Sequence, residues 1–358
     1  LPLSAPDAIN PAFQHVKQQL TQPFRFGQWM RLAFVGFLAG ELSSGGGCNS
    51  SFHMPSTHRS QGAEHFVRPF TLPPLITHHP VLFAAMIAFL IVIGISLSVL
   101  FIYIGSVMRF VLFDSVVAKE CHIRQGWARR RQHGLRLFVW QICVMLAFFG
   151  SFFVLIGIPL ACLLALHWLP HPAGHLLPLL LGGTLLFLIL LVIVFVLAVV
   201  NVMTKDFVVP QMALEDVSAM EGWRRLWLLL KAEKLGYVGY IGMKVVLAIG
   251  ANIVLGFVSL IVLLAILLPV GGFGIIALLT GKAAGFTWSF YTITLAVIVA
   301  CVAVAVFIFV FSIICVPAIV FFPAYSIYFF APRYAPLASL LWPQPLVSPA
   351  NGPPPGGP

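Results

Sequence analysis

The sequence predicts an all-α protein, a polytopic six-helix transmembrane bundle with amphipathic interfacial helices, and three observations carry that reading. Of its 358 residues 60% are hydrophobic and 8% charged, with a mean hydropathy of +1.03. Soluble domains carry about 25% charged residues, so this chain has too little polar surface to cover a water-exposed globule. Long apolar runs recur along the whole length, and Lys and Arg gather in short segments between them instead of spreading evenly.

Asn10 to Leu20 sets Phe13, Val16 and Leu20 at helical spacing among Gln14, His15, Lys17 and Gln18, which predicts a short amphipathic helix on a membrane surface. The residues before it lack the basic-then-apolar order of a signal peptide, so the first span is expected to act as the targeting signal. The apolar core of that span runs from Trp29 to Leu42, shorter than the roughly 20 residues a crossing helix needs, and a re-entrant segment is the alternative. Residues 43–79 are rich in Gly, Ser and Pro without periodicity and predict an extracytoplasmic loop.

The second span runs from Pro80 to Phe113, and Asp114 to Gly134 forms a polar, basic segment. A third span, Leu135 to Leu166, is interrupted by Pro159, and a fourth runs from Leu176 to Met203. Lys205 to Lys234 is a second basic segment; the fifth and sixth spans are Gly236 to Leu268 and Phe286 to Val316. Pro317 and Pro323 then break the pattern, leaving an aromatic interfacial element before a disordered tail, 343–358. Residues 1–342 thus read as one transmembrane domain.

Orientation follows from charge. In this arrangement Arg59, Arg68 and Lys282 are the only basic residues on one side, so the positive-inside rule places both termini and both basic segments in the cytoplasm. The net charge of +10 is accounted for by that placement beside apolar spans, against an anionic leaflet, and nucleic acid is not an expected partner. The six cysteines show no CxxC spacing and imply neither a disulfide framework nor a zinc site. No GxSxG, HExxH, Walker A loop or paired carboxylates occur, so no enzyme activity and no cofactor are expected.

The two basic segments align with each other. Val107-Met108, Glu120, Gly126-Trp127 and Arg129-Arg130 match Val202-Met203, Glu215-Asp216, Gly222-Trp223 and Arg224-Arg225, and Gly27 to Leu32 is a fainter echo. Repeat units of 1–113, 114–210 and 211–342 follow, each reading as surface helix, span, outer loop and span. The alternative is that Trp and Arg recur because every such interface favours them.

The run from Ser106 to Gln141, with the Gly/Ser-rich first loop and Pro23 to Phe34, resembles an uncharacterised family of bacterial, acidobacteria-like polytopic membrane proteins. The alternation of span and amphipathic helix is more distantly similar to the membrane domain of bacterial glycerophosphodiester phosphodiesterases. The likeness is topological, and no soluble phosphodiesterase domain is present, so it implies a multi-pass protein of a bacterial inner membrane without that activity.

Four sets of residues are candidates for function. Lys119, Arg124, Trp127, Arg129, Arg130, Arg131 and Arg136 form a basic cluster suited to anionic lipid headgroups, with pure topology determination as the plainer reading. Trp223, Arg224 and Arg225 belong to a second amphipathic helix, whose apolar stripe is Ala213, Val217, Met220, Trp223, Trp227 and Leu230. On span five Lys244, Asn252 and Gly256 share a small, polar stripe expected to pack against another helix. His167, His171 and His175 are spaced to share a metal ion on a helix, against which Pro170 and Pro172 stand.

These readings imply a non-enzymatic integral membrane protein, a lipid-contacting scaffold or accessory subunit of a membrane complex. Its expected partners are anionic lipids of the cytoplasmic leaflet, with other proteins or a second copy of the chain as further candidates. A small-solute transporter or channel using the span-five stripe is one alternative, and extracytoplasmic metal binding through the loop histidines is another.

Overall fold

The computed structural model describes residues 3–22, 24–41, 80–165, 176–283 and 290–342, which form helices and turns without a strand. In chain order the elements are α1 (Ile9–Thr21), α2 (Phe26–Leu38), α3 (Pro80–Ala118), α4 (Ile123–Ala165) and α5 (Leu176–Met203). A π-helical turn (Thr204–Val208) leads into α6 (Val209–Glu215), α7 (Ala219–Ala232), α8 (Lys234–Ala283), α9 (Phe290–Ile314) and α10 (Val316–Phe330). A 3₁₀ turn (Ala331–Arg333) and α11 (Ala335–Leu341) follow.

Among the described residues five helices are long and apolar enough to cross a membrane: α3, α4, α5 continuing into α6, α8 and α9. The first expected span is not among them. α2 has 13 residues, about 20 Å of rise, against roughly 30 Å of hydrocarbon. It stops because Gly40 follows its C-cap in the left-handed region, at φ 72°, where a glycine ends a helix without a Cβ clash. The histidine candidates His167, His171 and His175, the loop 43–79 and the tail 343–358 lie outside the described residues.

The helices divide into two levels. At the basic end, the last turns of α3, the start of α4, the π-turn with α6 and α7, the start of α8, and α10 pack with α1 and α2 around one apolar core. Phe110, Leu137, Met203, Phe207, Tyr237, Tyr240, Tyr325 and Phe329 are fully buried there. Beyond that level the most apolar stretches of α3, α4, α5 and α8 have no buried residue at all. Exposed Phe89, Phe195 and Phe257 typify a surface that water would not tolerate and lipid tails would.

Two hairpins build much of the packed layer, and they share a construction. Lys119 (φ 58°) and Asp216 (φ 56°) are the only non-glycine residues with positive φ among the described residues, and each directly follows a helix, α3 and α6 respectively. After each turn a glycine lets the returning helix close on a valine of the first. A Cβ at Gly126 would lie 3.2 Å from Val111, and one at Gly222 would lie 2.9 Å from Val208. A third close approach, Gly134 on α4, faces Val107, where an added Cβ would come within 2.8 Å of the Val107 Cα.

α1 is amphipathic as expected, yet it docks on protein: Ala12, His15, Val16, Gln19 and Leu20 are buried and Phe13 is exposed. Its polar side chains explain the choice. The last carbonyls of α3 have no partner within their own helix. His15 Nε2 lies 2.8 Å from the Val116 carbonyl and Gln19 Nε2 donates to Ser115 O at 2.9 Å. Gln28 of α2 donates to Lys119 O at 2.7 Å, continuing the cap.

Two outcomes are expected. Gly134→Ala should cost about 1–3 kcal/mol, because its methyl meets backbone. Gly126→Ala should cost less, since only valine methyls stand in the way; thermal unfolding in detergent ranks the two. Burial, helped by the charge of Lys119, holds the His15 pKa below its ordinary value of 6.5. The unfolded chain therefore binds the extra proton first, so His15 contributes fully above about pH 6.5 and its contribution falls as pH drops below that value. Protection factors of the α1 amides, with the intrinsic pH dependence of exchange divided out, should fall on acidification in the wild type, and less steeply in His15→Gln.

Candidate functional site

The site is built by a local irregularity in the long α5–α6 helix. Pro210 has no N–H to give the Asp206 carbonyl four residues earlier, and its ring crowds that carbonyl. The chain answers with a π-turn over Thr204–Val208, in which Val209 N–H reaches back to Thr204 O. The extra residue in the turn aims Lys205 and Asp206 into the packed layer, and π-turns inside α-helices frequently mark functional positions.

Lys205 Nζ pairs with Glu41 Oε1 at 3.4 Å, just beyond the end of α2, with both side chains nearly buried. Asp206 Oδ2 accepts a close contact from Lys244 Nζ of α8 and a hydrogen bond from Tyr240 OH at 2.9 Å. The Tyr240 ring stacks on Tyr325 of α10, with centroids 5.2 Å apart and planes within 8°. From α3, Arg109 Nε donates to Ala39 O at 3.3 Å, while its Nη1 is buried without a hydrogen-bond partner. The charged groups border a cavity of about 40 Å³ whose walls include Glu41, Arg109, Lys205, Asp206 and Lys244, with Leu112, Phe113, Phe322 and Ile327.

Three cations thus meet two carboxylates, leaving one positive charge in excess. The cluster sits where the covered part of each helix gives way to bare apolar surface. Such an arrangement can fix helix positions and hold an anion. Its dominance by positive charge does not suit a metal cation, and no group of three or more metal-ligating side chains forms among the described residues. Cys121 offers no reactive thiolate, since burial pushes its thiol up.

The lipid candidates separate into two kinds. Arg124, Arg129 and Arg131 are exposed, as is Lys119, whose Nζ donates to Gln18 Oε1 at 2.9 Å. Arg130 is buried: it grips Asp114 through Nε at 2.7 Å and Nη2 at 2.8 Å, and gives Nη1 to Ala213 O at 2.7 Å, tying the first hairpin to the second. Arg136 pairs with Asp216 at 2.8 Å, opposite His133. Trp127 lies edge-on to Tyr103. Trp223 donates to Thr204 Oγ1 at 3.1 Å, and Arg224 and Arg225 pair with Glu221.

On α7 the buried face is Ala219, Gly222 and Leu226, while Met220 and Trp227 of the expected stripe are exposed. Of the span-five stripe, the structure brings only Lys244 into a contact between helices. Asn252 and Gly256 are exposed, with nothing within 4 Å of a Cβ built at Gly256. The packing expected there is taken instead by the ionic cluster one level below.

Sequence reasoning assigns Lys244 to the span-five stripe and Lys205 to a basic segment, and does not bring Glu41, Arg109, Lys205, Asp206 and Lys244 together. The signal available to find them is that each charge stands at or near one end of an apolar run, and that Lys205-Asp206 stands just before Pro210 in an otherwise helical pattern.

Removing one partner of a buried pair leaves a bare charge, which costs about 3–5 kcal/mol. Lys244→Met should lower stability by that order, and adding Asp206→Asn should recover most of the loss. Melting temperatures of the single and double variants check this.

A model of a family of unknown function (DUF7544) matches residues 3–340. No curated protein and no solved structure matches the chain.

Proposed function

We propose, for a chain that belongs to the DUF7544 family of unknown function, a non-enzymatic scaffold role in which a packed basic-end layer holds five apolar helices apart and engages anionic lipid headgroups. One observation carries this reading. The helices pack through the basic-end layer while the most apolar stretches of α3, α4, α5 and α8 carry no buried residue, which favours a fold that presents surface over one that encloses a path. Those faces are available to lipid tails or to the helices of a larger complex. The exposed arginines at the start of α4 lie on the same end as the packed layer, where headgroups would meet them.

Juxtamembrane basic residues contribute about 1 kcal/mol each against anionic lipid. Arg124, Arg129 and Arg131 are the ones to remove, because Arg130 holds the fold. Replacing the three with Gln should lower the ratio of anionic to zwitterionic lipid retained on purification several-fold, with the melting temperature unchanged. An unaltered ratio would sink the lipid-contact role. Stoichiometric co-purification of a membrane partner would favour the accessory-subunit form of the scaffold.

A further inference from the structure

We propose that the cavity beside Arg109 is a binding site for one phosphate monoanion, either the phosphodiester of a lipid headgroup or inorganic phosphate. The argument begins with charge. Glu41 is matched by Lys205, and Asp206 by Lys244. Arg109 stands near both carboxylates without pairing with either; its only hydrogen bond runs from Nε to Ala39 O, and Nη1 is buried and unpartnered. A guanidinium cannot shed its proton to escape this, and a buried charge without a partner is costly. One bound monoanion would neutralise the excess.

Chemistry and size then narrow the class. The planar fork of Arg matches two oxygens of a phosphate, and Lys205 and Lys244, which also line the cavity, add positive charge. The cavity of about 40 Å³ exceeds the roughly 10–15 Å³ that admits one water and falls far short of a whole headgroup, so it accepts the oxygen-bearing edge of the anion. Apart from Ser326 the rest of the wall is apolar, with Leu112, Phe113, Phe322 and Ile327 in it, a complement suited to the glycerol end of a lipid. The level fits as well: α3 is exposed and apolar from Ala84 to Phe101 and mostly buried from Ser106 to Val116, so Arg109 stands just past the apolar stretch, the level expected of headgroup phosphates.

The lipid source rests on the scaffold reading; the anion site does not, and the test separates them. The full chain in neutral detergent is titrated with inorganic phosphate at fixed ionic strength, reading melting temperature. Native mass spectrometry then compares phosphatidylglycerol with a phosphate-free glucosyl diacylglycerol. A phosphate-dependent rise in melting temperature assigns the free anion, and a single tight phosphatidylglycerol adduct without that rise assigns the lipid. In either case Arg109→Gln should weaken binding at least tenfold, and Glu41→Gln, which raises the excess positive charge, should tighten it several-fold. If Arg109→Gln does not fold, Arg109→Lys replaces it, with a smaller loss expected. Arg124, Arg129 and Arg131 changed to Gln should leave this single adduct in place even where they strip other anionic lipid. No binding by either probe, or affinities unmoved by both the Arg109 and Glu41 variants, overturns the site.

Discussion

The Lys205–Asp206 pair is where the helices of this protein are tied together. Side by side in one π-turn, the two residues reach in different directions, Lys205 to Glu41 beyond α2 and Asp206 to Lys244 and Tyr240 of α8. Charges in such a place contribute little net stability, since desolvation offsets most of the attraction. What they do is restrict the arrangement: each carboxylate is matched to one lysine, and any sliding of α2 or α8 along α5 pulls a matched pair apart. Arg109, held by the Ala39 carbonyl, adds α3 to the same constraint.

That constraint has to act at one end because nothing equivalent acts along the rest of the helices. Apolar side chains gain no hydrophobic energy by touching one another in lipid, where association depends on close packing and polar contacts. Gly36, Gly105, Gly126, Gly134 and Gly222 permit close approach to a neighbouring element at the basic end, whereas a Cβ at Gly94, Gly150, Gly157 or Gly256 would meet nothing within 4 Å. The most apolar stretches of α3, α4, α5 and α8 accordingly bury no residue beyond the layer. Ser96, Ser98, Ser151 and Thr184, the hydroxyls on these bare stretches, donate to carbonyls of their own helix and so need no neighbour.

Much of this was legible in residues taken one at a time, and the remainder was not for a physical reason. Hydropathy marks α3, α4, α5, α8 and α9 because length and apolarity alone decide whether a helix can cross. The stop at Gly40 is a glycine signal that shortens α2, and it shows only when the conformation is known. The sequence also assigns Arg130 to a lipid-facing triplet, since nothing in three consecutive arginines says which one turns inward. The helical repeat of about 100° per residue does that here, bringing Arg130 over Asp114 while Arg129 and Arg131 stay outside. The ionic cluster is assembled from Glu41, Arg109, Lys205, Asp206 and Lys244, five positions spread over some two hundred residues, and no local pattern reports their meeting.

The packed layer also closes on itself from the two ends of the described chain. Arg333, after α10, clasps Glu233 at the α7–α8 junction through two hydrogen bonds and gives Nη1 to Leu3 O at 3.1 Å, while Tyr325 donates to Ala5 O. His15 of α1 meets Tyr328 of α10 at 3.2 Å. Helices that satisfy their own backbone can insert singly, before they associate. The layer cannot form so early, because α1 and α2 lack the far wall of their core until α10 arrives. Tyr325, stacked on Tyr240, brings α10 up to the ionic cluster, so the cluster too depends on the last helices of the described chain.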